Sequence, residues 1–210
     1  MKKFRKNILR TATLIFAFVM AVCLADIGTS RIQTEAKTSK KTIAVLYFSA
    51  TGTTKTAAKR IGKKTKGKVI EIKAADPYTD DDLDYGNNTS RVTKEHESAS
   101  SPAKSSVRPE ISNLKSIKKS VKNADVVYIG YPIWWGEAPH IIYTLVENVN
   151  LKGKTVIPFC TSISSGIGNS GTNLKANATI SAKTNWLEGR NFYDAPSQKT
   201  VNKWISQLKY

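Results

Sequence analysis

The chain has 210 residues, of which 40% are hydrophobic and 23% are charged, and this composition excludes a disordered or fibrous protein. Its length predicts one domain, with a core large enough to cover both faces of a sheet. The net charge of +17 favours contact with anionic surfaces such as membrane headgroups or wall polymers, whereas nucleic acid is disfavoured because the lysines are scattered and no binding motif accompanies them.

The N-terminal residues predict export. Five Lys and Arg residues between Lys2 and Arg10 form a basic head, and the following run from Thr11 to Ala25 carries no charge. This pattern is typical of a secretory signal peptide, and the apolar run is shorter than the roughly 20 residues of a membrane-spanning helix. We therefore predict a signal peptide or uncleaved anchor with its tether over residues 1–36, a secreted or envelope-associated protein, and a folded domain over residues 41–210.

The first predicted elements are a strand, a helix and a second strand. Residues 42–48 form a continuous apolar run, which is typical of a strand buried on both faces. Residues 54–64 carry apolar side chains on one side and lysines on the other, which predicts a helix. Alternating side chains over residues 68–73 predict the second strand.

A polar stretch over residues 76–110 follows and contains five aspartates near its start. Its composition favours a solvated insertion, with a short helix over residues 91–99. Calcium binding is the less favoured interpretation, because the aspartates lack the glycine turn and the distal glutamate of an EF-hand loop.

The remaining elements continue the alternation of strands and helices. In chain order they are a helix over 111–121, a strand over 125–130, a helix over 139–148, a strand over 154–160, a helix over 171–176, a strand over 185–192 and a helix over 197–208. This alternation predicts a parallel sheet with helices on both faces. Ligands of such sheets bind at the carboxyl ends of the strands, so the loops after strands one, three and four form the candidate site.

The first of these loops, Ser49-Ala-Thr-Gly-Thr-Thr54, joins a buried strand to a helix. A helix N-terminus carries free N–H groups and a partial charge of about +0.5, so it attracts anions. The loop lacks the lysine ending of a nucleoside triphosphate loop and the three-glycine dinucleotide fingerprint. It therefore favours a phosphate monoester, and the alternative interpretation is a Ser/Thr-rich turn and helix cap.

The second and third loops favour a flat ligand beside the phosphate. Trp134 and Trp135 are adjacent after strand three and offer planar faces for stacking, although we expect at least one of them to be partly structural. Residues 161–170 are rich in Ser and Gly and can surround the polar edge of a ring. If the third loop is considered alone, the favoured interpretation is a mobile Ser/Gly connector.

Two reactive side chains near these loops are predicted to be structural. Cys160 ends an apolar run, so a buried strand thiol is favoured over a nucleophile. His140 lies at a predicted helix start, where a surface or capping residue is favoured over a proton donor. No cluster of Cys and His has the spacing of a metal site.

The three loop sequences SATGTT, GYPIWWGEAP and TSISSGIGNS resemble those of the flavodoxin family, especially a short-chain branch with a Pro-Ile-Trp-Trp-Gly loop. The resemblance covers residues 41–210. It implies an α/β, flavodoxin-like fold with a five-stranded parallel sheet in the order 2-1-3-4-5, and non-covalent binding of FMN. The implied FMN contacts are Ser49, Thr51, Gly52, Thr53 and Thr54 at the phosphate; Pro132, Ile133, Trp134, Trp135 and Gly136 on one side of the ring; and Thr161, Ser162, Ser164, Ser165, Gly166 and Gly168 on its other side and polar edge.

The resemblance implies electron transfer with an unidentified redox partner protein, and no acid–base residue is required for it. The favoured function is an FMN-binding electron carrier at the cell envelope. The alternatives are an FMN-dependent NAD(P)H:quinone-type reductase, and a flavin-free secreted binding module that adheres to anionic wall polymer. The chain departs from the family in two respects. It is basic, whereas many members are acidic. Its predicted export in the unfolded state would also require FMN to be captured outside the cell.

Overall fold

The computed structural model describes residues 40–210, so the predicted signal peptide and tether over residues 1–36 lie outside the described residues. The strands are β1 Ile43–Tyr47, β2 Lys68–Glu71, β3 Val126–Pro132, β4 Thr155–Thr161, β5 Asn185–Trp186 and β6 Arg190–Phe192. The helices are α1 Thr53–Thr65, α2 Arg91–Glu97, α3 Leu114–Lys122, α4 His140–Asn148, α5 Ser170–Asn177 and α6 Gln198–Gln207. None of these helices is long and apolar enough to cross a membrane.

The strands form one parallel sheet in the order β2-β1-β3-β4-β5, which confirms the predicted fold class. The register pairs Tyr47 of β1 with Gly130 of β3, and Pro132 of β3 with Thr161 of β4. β3 and β4 each continue past their predicted ends. Because their last residues are paired, the two loops that follow them leave the sheet at the same edge.

The fifth strand position is shared by two short strands, β5 and β6, which both pair with β4. The interruption lies opposite Pro158. The N–H of Leu187 donates to the carbonyl of Val156 at 2.9 Å, so Val156 and Pro158, two residues apart, both turn their backbone polar groups towards the fifth position. Since Pro158 has no N–H to donate there, the ladder breaks at this point.

Two hydrophobic clusters cover the two faces of the sheet. Leu46 and Ile129 belong to the cluster beneath α3, α4 and α5, whereas Val45 and Tyr128 belong to the cluster beneath α1 and α6. Successive strand residues alternate between the two faces, as side chains in a strand must. Residues 40–210 thus supply a core on both faces, which is what a domain needs to fold alone.

The later part of the segment 76–110 is packed onto the domain, whereas residues 79–89 are mostly exposed, so its interpretation as a solvated insertion is confirmed only for the earlier part. Its ends are joined by an antiparallel bridge between Ala74 and Ile111. Arg108 donates to both carboxylate oxygens of Glu147 on α4, at 2.8–3.0 Å. Val92 on α2 is buried. The polar composition misled because many of these polar groups bond to one another within the segment, and this removes the cost of packing them.

A glycine in β3 allows the close packing of the central strands. A Cβ at Gly130 would lie 2.1 Å from Cζ of Phe159 on β4. We expect Gly130→Ala to lower the free energy of unfolding by about 3 kcal/mol through overpacking, measured by urea denaturation. The control is Gly171→Ala in α5, where the nearest atom is 3.5 Å away and alanine favours the helix. Equal effects of the two substitutions would contradict the packing at Gly130.

Candidate functional site

The three predicted loops meet in a cleft of about 280 Å³ at the carboxyl edge of the sheet. Seven of the predicted site residues line it: Thr51, Thr53, Pro132, Ile133, Trp134, Thr161 and Ser162. The remaining predicted residues do not line this cleft; they are Ser49, Gly52, Thr54, Trp135, Gly136, Ser164, Ser165, Gly166 and Gly168. Several of these hold the loops in position instead.

Ser49 organises the first loop from within. Its Oγ accepts hydrogen bonds from the N–H groups of Gly52 at 3.1 Å and Lys55 at 3.2 Å. Gly52 has φ 93, which is a left-handed conformation that favours glycine. The hydroxyl proton of Ser49 has no acceptor within residues 40–210, so Ser49 keeps one donor available.

The start of α1 offers further donors. The N–H groups of Thr53 and Thr54 lie in the first turn and have no acceptor in the described part of the chain. The hydroxyls of Thr51 and Thr53 likewise make no hydrogen bond there. The hydroxyl of Thr54 differs, because it is buried and bonds to Oγ1 of Thr161 at 2.7 Å. Thr54 therefore offers its N–H rather than its side chain.

The second loop is a tight hairpin that begins at Trp134. Trp134 and Glu137 exchange two backbone hydrogen bonds, each of 2.9 Å. The central residues Trp135 and Gly136 have φ 51 and φ 79, the positive values of a type I′ turn. Because glycine and asparagine are the residues that normally accept this geometry, Trp135 is held in a costly conformation at the tip.

The two indoles have different surroundings. Trp134 packs edge-on against Phe48 and Tyr78, with ring centroids 5.6 Å and 5.2 Å away, and also lines the cleft. This confirms that one tryptophan is partly structural. Trp135 is 44% exposed and stacks on His96, at 4.5 Å between centroids and 6° between planes. Trp134 is thus the indole placed to touch a ligand in the cleft.

The third loop lies against the other two. Oγ of Ser162 donates to Oδ1 of Asn191 at 3.0 Å and accepts from the N–H of Gly166 at 3.1 Å. A Cβ at Gly168 would lie 3.6 Å from the carbonyl oxygen of Gly136. Ser164 and Ser165 are exposed. The loop therefore presents Thr161 and Ser162 to the cleft, and its later residues approach the tip of the tryptophan hairpin.

The cleft also contains residues that are not among the predicted FMN contacts named above, and two of them, Ala50 and Ile163, lie within the predicted loops. These additional residues are Ala50, Leu83, Tyr85, Ile163, Tyr193 and Asp194. Three of them are exposed apolar side chains: Tyr85 at 43%, Ile163 at 94% and Tyr193 at 65%. An exposed apolar rim around a cleft is typical of a binding site. Tyr193 and Asp194 directly follow the fifth strand, so they could have been predicted from the rule that ligands bind at the carboxyl ends of parallel strands. Tyr85 could not, because it lies in a segment without hydrophobic periodicity.

A buried polar group lies behind the tryptophan hairpin. His140 is only 4% exposed, so its prediction as a surface or capping residue is wrong. Burial, with repulsion from Arg108 and His96, lowers the pKa of His140 to about 4. The 3.8 Å contact between its Nδ1 and Oε2 of Glu95 is therefore no ion pair at neutral pH. Within residues 40–210, no three His, Cys, Asp or Glu side chains are grouped to hold a metal ion.

Cys160 is buried at the end of β4, which confirms its prediction as a strand thiol. Its Sγ lies 3.2 Å from Oδ1 of Asn191. Burial raises the pKa of the thiol to about 12, so the nucleophilic thiolate is scarce at neutral pH.

Fold and cleft together define a doubly wound α/β protein with a loop of available hydrogen-bond donors and an aromatic-walled cleft at the carboxyl edge of its sheet. The flavodoxin family profile matches residues 41–208, and the chain belongs to the flavodoxin family. A comparison with curated protein sequences gives no match.

Solved structures agree with this assignment. A protein assigned to the flavoproteins from Bacteroides eggerthii DSM 20697 is 43% identical over 79% of this chain and 96% of its own, with a TM-score of 0.68. A second, from Bacteroides uniformis ATCC 8492, is 40% identical over 80% and 99%, also with a TM-score of 0.68. A flavoprotein from Lactobacillus acidophilus NCFM, solved in complex with FMN, is 22% identical over 79% and 99%, with a TM-score of 0.54, and shows the shared fold.

The depressed pKa of His140 gives the protein a pH-dependent stability. The folded pKa of about 4 is below the ordinary 6.5, so the unfolded chain binds more protons between these values. Stability is then fully present above pH 6.5 and falls by about 2–3 kcal/mol as the pH drops towards 4.

We expect His140→Gln to flatten this loss in urea denaturation at a series of pH values. His96→Gln, which removes the other histidine of the chain, retains most of it. The raised pKa of Glu95 opposes this trend above its ordinary value of 4.5, because burial disfavours its charged form. The comparison between variants cancels that contribution. An unchanged slope in His140→Gln would show that His140 titrates normally.

Proposed function

We propose that the protein binds FMN non-covalently in this cleft and transfers electrons through it as a flavodoxin-type carrier at the cell envelope. The observation that carries the proposal is the meeting of an anion-accepting helix start, an indole wall and a polar loop in one cleft of about 280 Å³. This volume lies just below the range of about 300–1,000 Å³ that is usual for small-molecule sites. Each part matches one portion of the cofactor.

The first loop fits a phosphate group. The available donors are the N–H groups of Thr53 and Thr54 and the hydroxyls of Ser49, Thr51 and Thr53. No lysine or arginine is among the described residues that line the cleft. A phosphate would therefore be held by hydrogen bonds and the helix dipole, as at other helix N-termini.

The aromatic and polar walls fit a flat ring system. Trp134 is fixed by Phe48 and Tyr78, so it can offer a stacking surface without losing further side-chain freedom. Tyr85 and Tyr193 line the same cleft and remain largely exposed. Ser162 and Asp194 supply the polar groups that a ring edge or a ribityl chain requires.

FMN supplies the redox chemistry when it is bound, and the protein supplies position and electrostatics. The apolar wall formed by Ile133, Trp134 and Tyr85 disfavours additional negative charge in the cleft, because burial penalises an uncompensated charge. His140 is neutral at physiological pH and does not line the cleft, and Cys160 is a buried thiol. Neither His140 nor Cys160 is therefore placed to act as an acid–base group or a nucleophile in the cleft, and electron transfer requires neither.

Two further observations support the proposal. The Lactobacillus acidophilus relative was solved with FMN, which favours the same cofactor here. The envelope location rests on the basic head and the apolar run of residues 1–25, which are typical of exported proteins.

The phosphate site is tested by placing a negative charge at its centre. We expect the wild-type protein to quench FMN fluorescence with saturation, and Thr53→Glu to weaken FMN binding at least about 100-fold through charge repulsion. Glutamate is favoured in a first helical turn, so the fold is retained. Thr200→Glu makes the same change in the first turn of α6 and should leave binding within threefold. Riboflavin, which lacks the phosphate, should bind weakly to all three proteins.

An absence of saturable quenching by the wild-type protein would refute FMN binding. Equal FMN and riboflavin affinities would refute the phosphate site alone. Steady NAD(P)H oxidation by the FMN-loaded protein without a partner would replace the carrier by the reductase alternative.

The two tryptophans are tested separately. We expect Trp134→Leu to weaken FMN binding roughly tenfold because the stacking wall of the cleft is lost. Trp135→Asn should leave FMN affinity within threefold and should keep the fold, since Asn-Gly is a favoured type I′ sequence. Far-UV circular dichroism checks the fold of both variants. The opposite result, with Trp135→Asn the damaging change, would place the flavin against the hairpin tip outside the cleft.

A further inference from the structure

The edge of the sheet opposite the cleft is rich in lysine. In a parallel sheet, the loops that lead from helices into strands all lie at the amino edge. Here these loops and the C-terminal halves of α1 and α3 carry Lys41, Lys63, Lys68, Lys118, Lys122 and Lys152, which we call the amino-edge basic surface. These residues precede or begin four neighbouring strands, β2, β1, β3 and β4.

Contacts between neighbouring loops hold this surface together. Nζ of Lys68 donates to Oγ of Ser120 at 3.3 Å, which joins the start of β2 to α3. Nζ of Lys154 donates to the carbonyl of Ala124 at 2.6 Å, which joins the start of β4 to the start of β3. Lys118, Lys122 and Lys152 border a groove of about 390 Å³ between these loops.

Among the described residues, no lysine of this surface forms an ion pair with a carboxylate. All ion pairs among residues 40–210 involve arginine or histidine, so no described lysine is paired with a carboxylate. Asp125, the nearby carboxylate at the start of β3, accepts from the N–H of Thr42 at 2.7 Å. All six of these lysines are exposed, so an external anion can reach their ammonium groups.

We propose that the amino-edge basic surface binds an anionic phospholipid bilayer and turns the cleft away from the membrane. Four strands about 4.8 Å apart, with their loops, form a face roughly 20 Å wide, suited to a planar array of phosphates. The chain enters the domain at this edge, because Lys40 and Lys41 lead directly into β1. The binding is independent of the cofactor, and it is electrostatic because lysines near an anionic surface each add to the attraction.

The test uses residues 40–210, which contain the complete core, so that the apolar N-terminal segment does not contribute. Sedimentation with vesicles of phosphatidylglycerol and phosphatidylcholine measures binding, and vesicles of phosphatidylcholine alone are the comparison. We expect binding to the anionic vesicles only, with loss of binding between about 0.05 M and 0.5 M NaCl as the charges are screened.

Two matched variants locate the surface. The first combines Lys63→Glu, Lys118→Glu, Lys122→Glu and Lys152→Glu. The second makes the same total charge change at exposed lysines away from the amino edge, with Lys59→Glu, Lys94→Glu, Lys104→Glu and Lys199→Glu. We expect the first variant to weaken binding at least 100-fold and the second less than tenfold.

Equal losses in the two variants would overturn the proposal, because binding would then follow net charge rather than this surface. Equal binding to both kinds of vesicle would also overturn it. Soluble poly(glycerol phosphate) provides the remaining arm. Binding to this polymer without binding to anionic vesicles would assign the surface to a wall polymer instead of a bilayer.

Discussion

The aligned carboxyl ends of β1, β3 and β4 are the constraint on which the candidate site depends. The N–H of Phe48 donates to the carbonyl of Gly130, and the N–H of Ile133 donates to the carbonyl of Thr161, each at 2.9 Å. The buried bond between Thr54 and Thr161 then joins the first loop to the third. Each loop is thereby fixed to a neighbour as it leaves its strand. A shift of one residue in any of these pairings would reverse the faces of the strand side chains and separate the loops.

The segment 76–110 completes the site from outside the sheet. Arg91 bonds to Asp76 and Glu95 and lies 3.8 Å from the ring centre of Tyr78, so one guanidinium fixes three parts of the segment. Tyr78 in turn packs against Trp134. The desolvation of Glu95 is offset by hydrogen bonds from Tyr78 and Arg91, although its pKa still stands above the ordinary value. The indole wall of the cleft therefore depends on polar contacts that lie 39 to 58 residues earlier in the chain.

The parallel sheet and the edge on which the site lies could be predicted from local patterns alone, whereas the strand order is implied by the resemblance to the flavodoxin family. Continuous apolar runs identify β1, β3 and β4, and parallel connection requires their following loops to share an edge. The part played by residues 76–110 could not be predicted in this way, because it depends on pairings such as Arg108 with Glu147 that lie 39 residues apart. The burial of His140 depends on the same segment. Its position at a helix start indicates exposure, and only the tertiary packing of α2 covers it.

The positions of the charges matter more than the net charge of +17 for which partner surfaces can approach the cleft. Asp194 lines the cleft, and Asp81, Asp82 and Asp84 flank the cleft residue Leu83 in the chain. The unpaired lysines of the amino-edge basic surface lie at the other end of the strands. β3 and β4 each have seven residues, which span about 23 Å, whereas the Debye length at physiological salt is about 8 Å. The two edges are therefore screened from one another. A redox partner that approached the cleft would meet carboxylates and exposed aromatic rings, while the lysines would act on whatever faces the opposite edge.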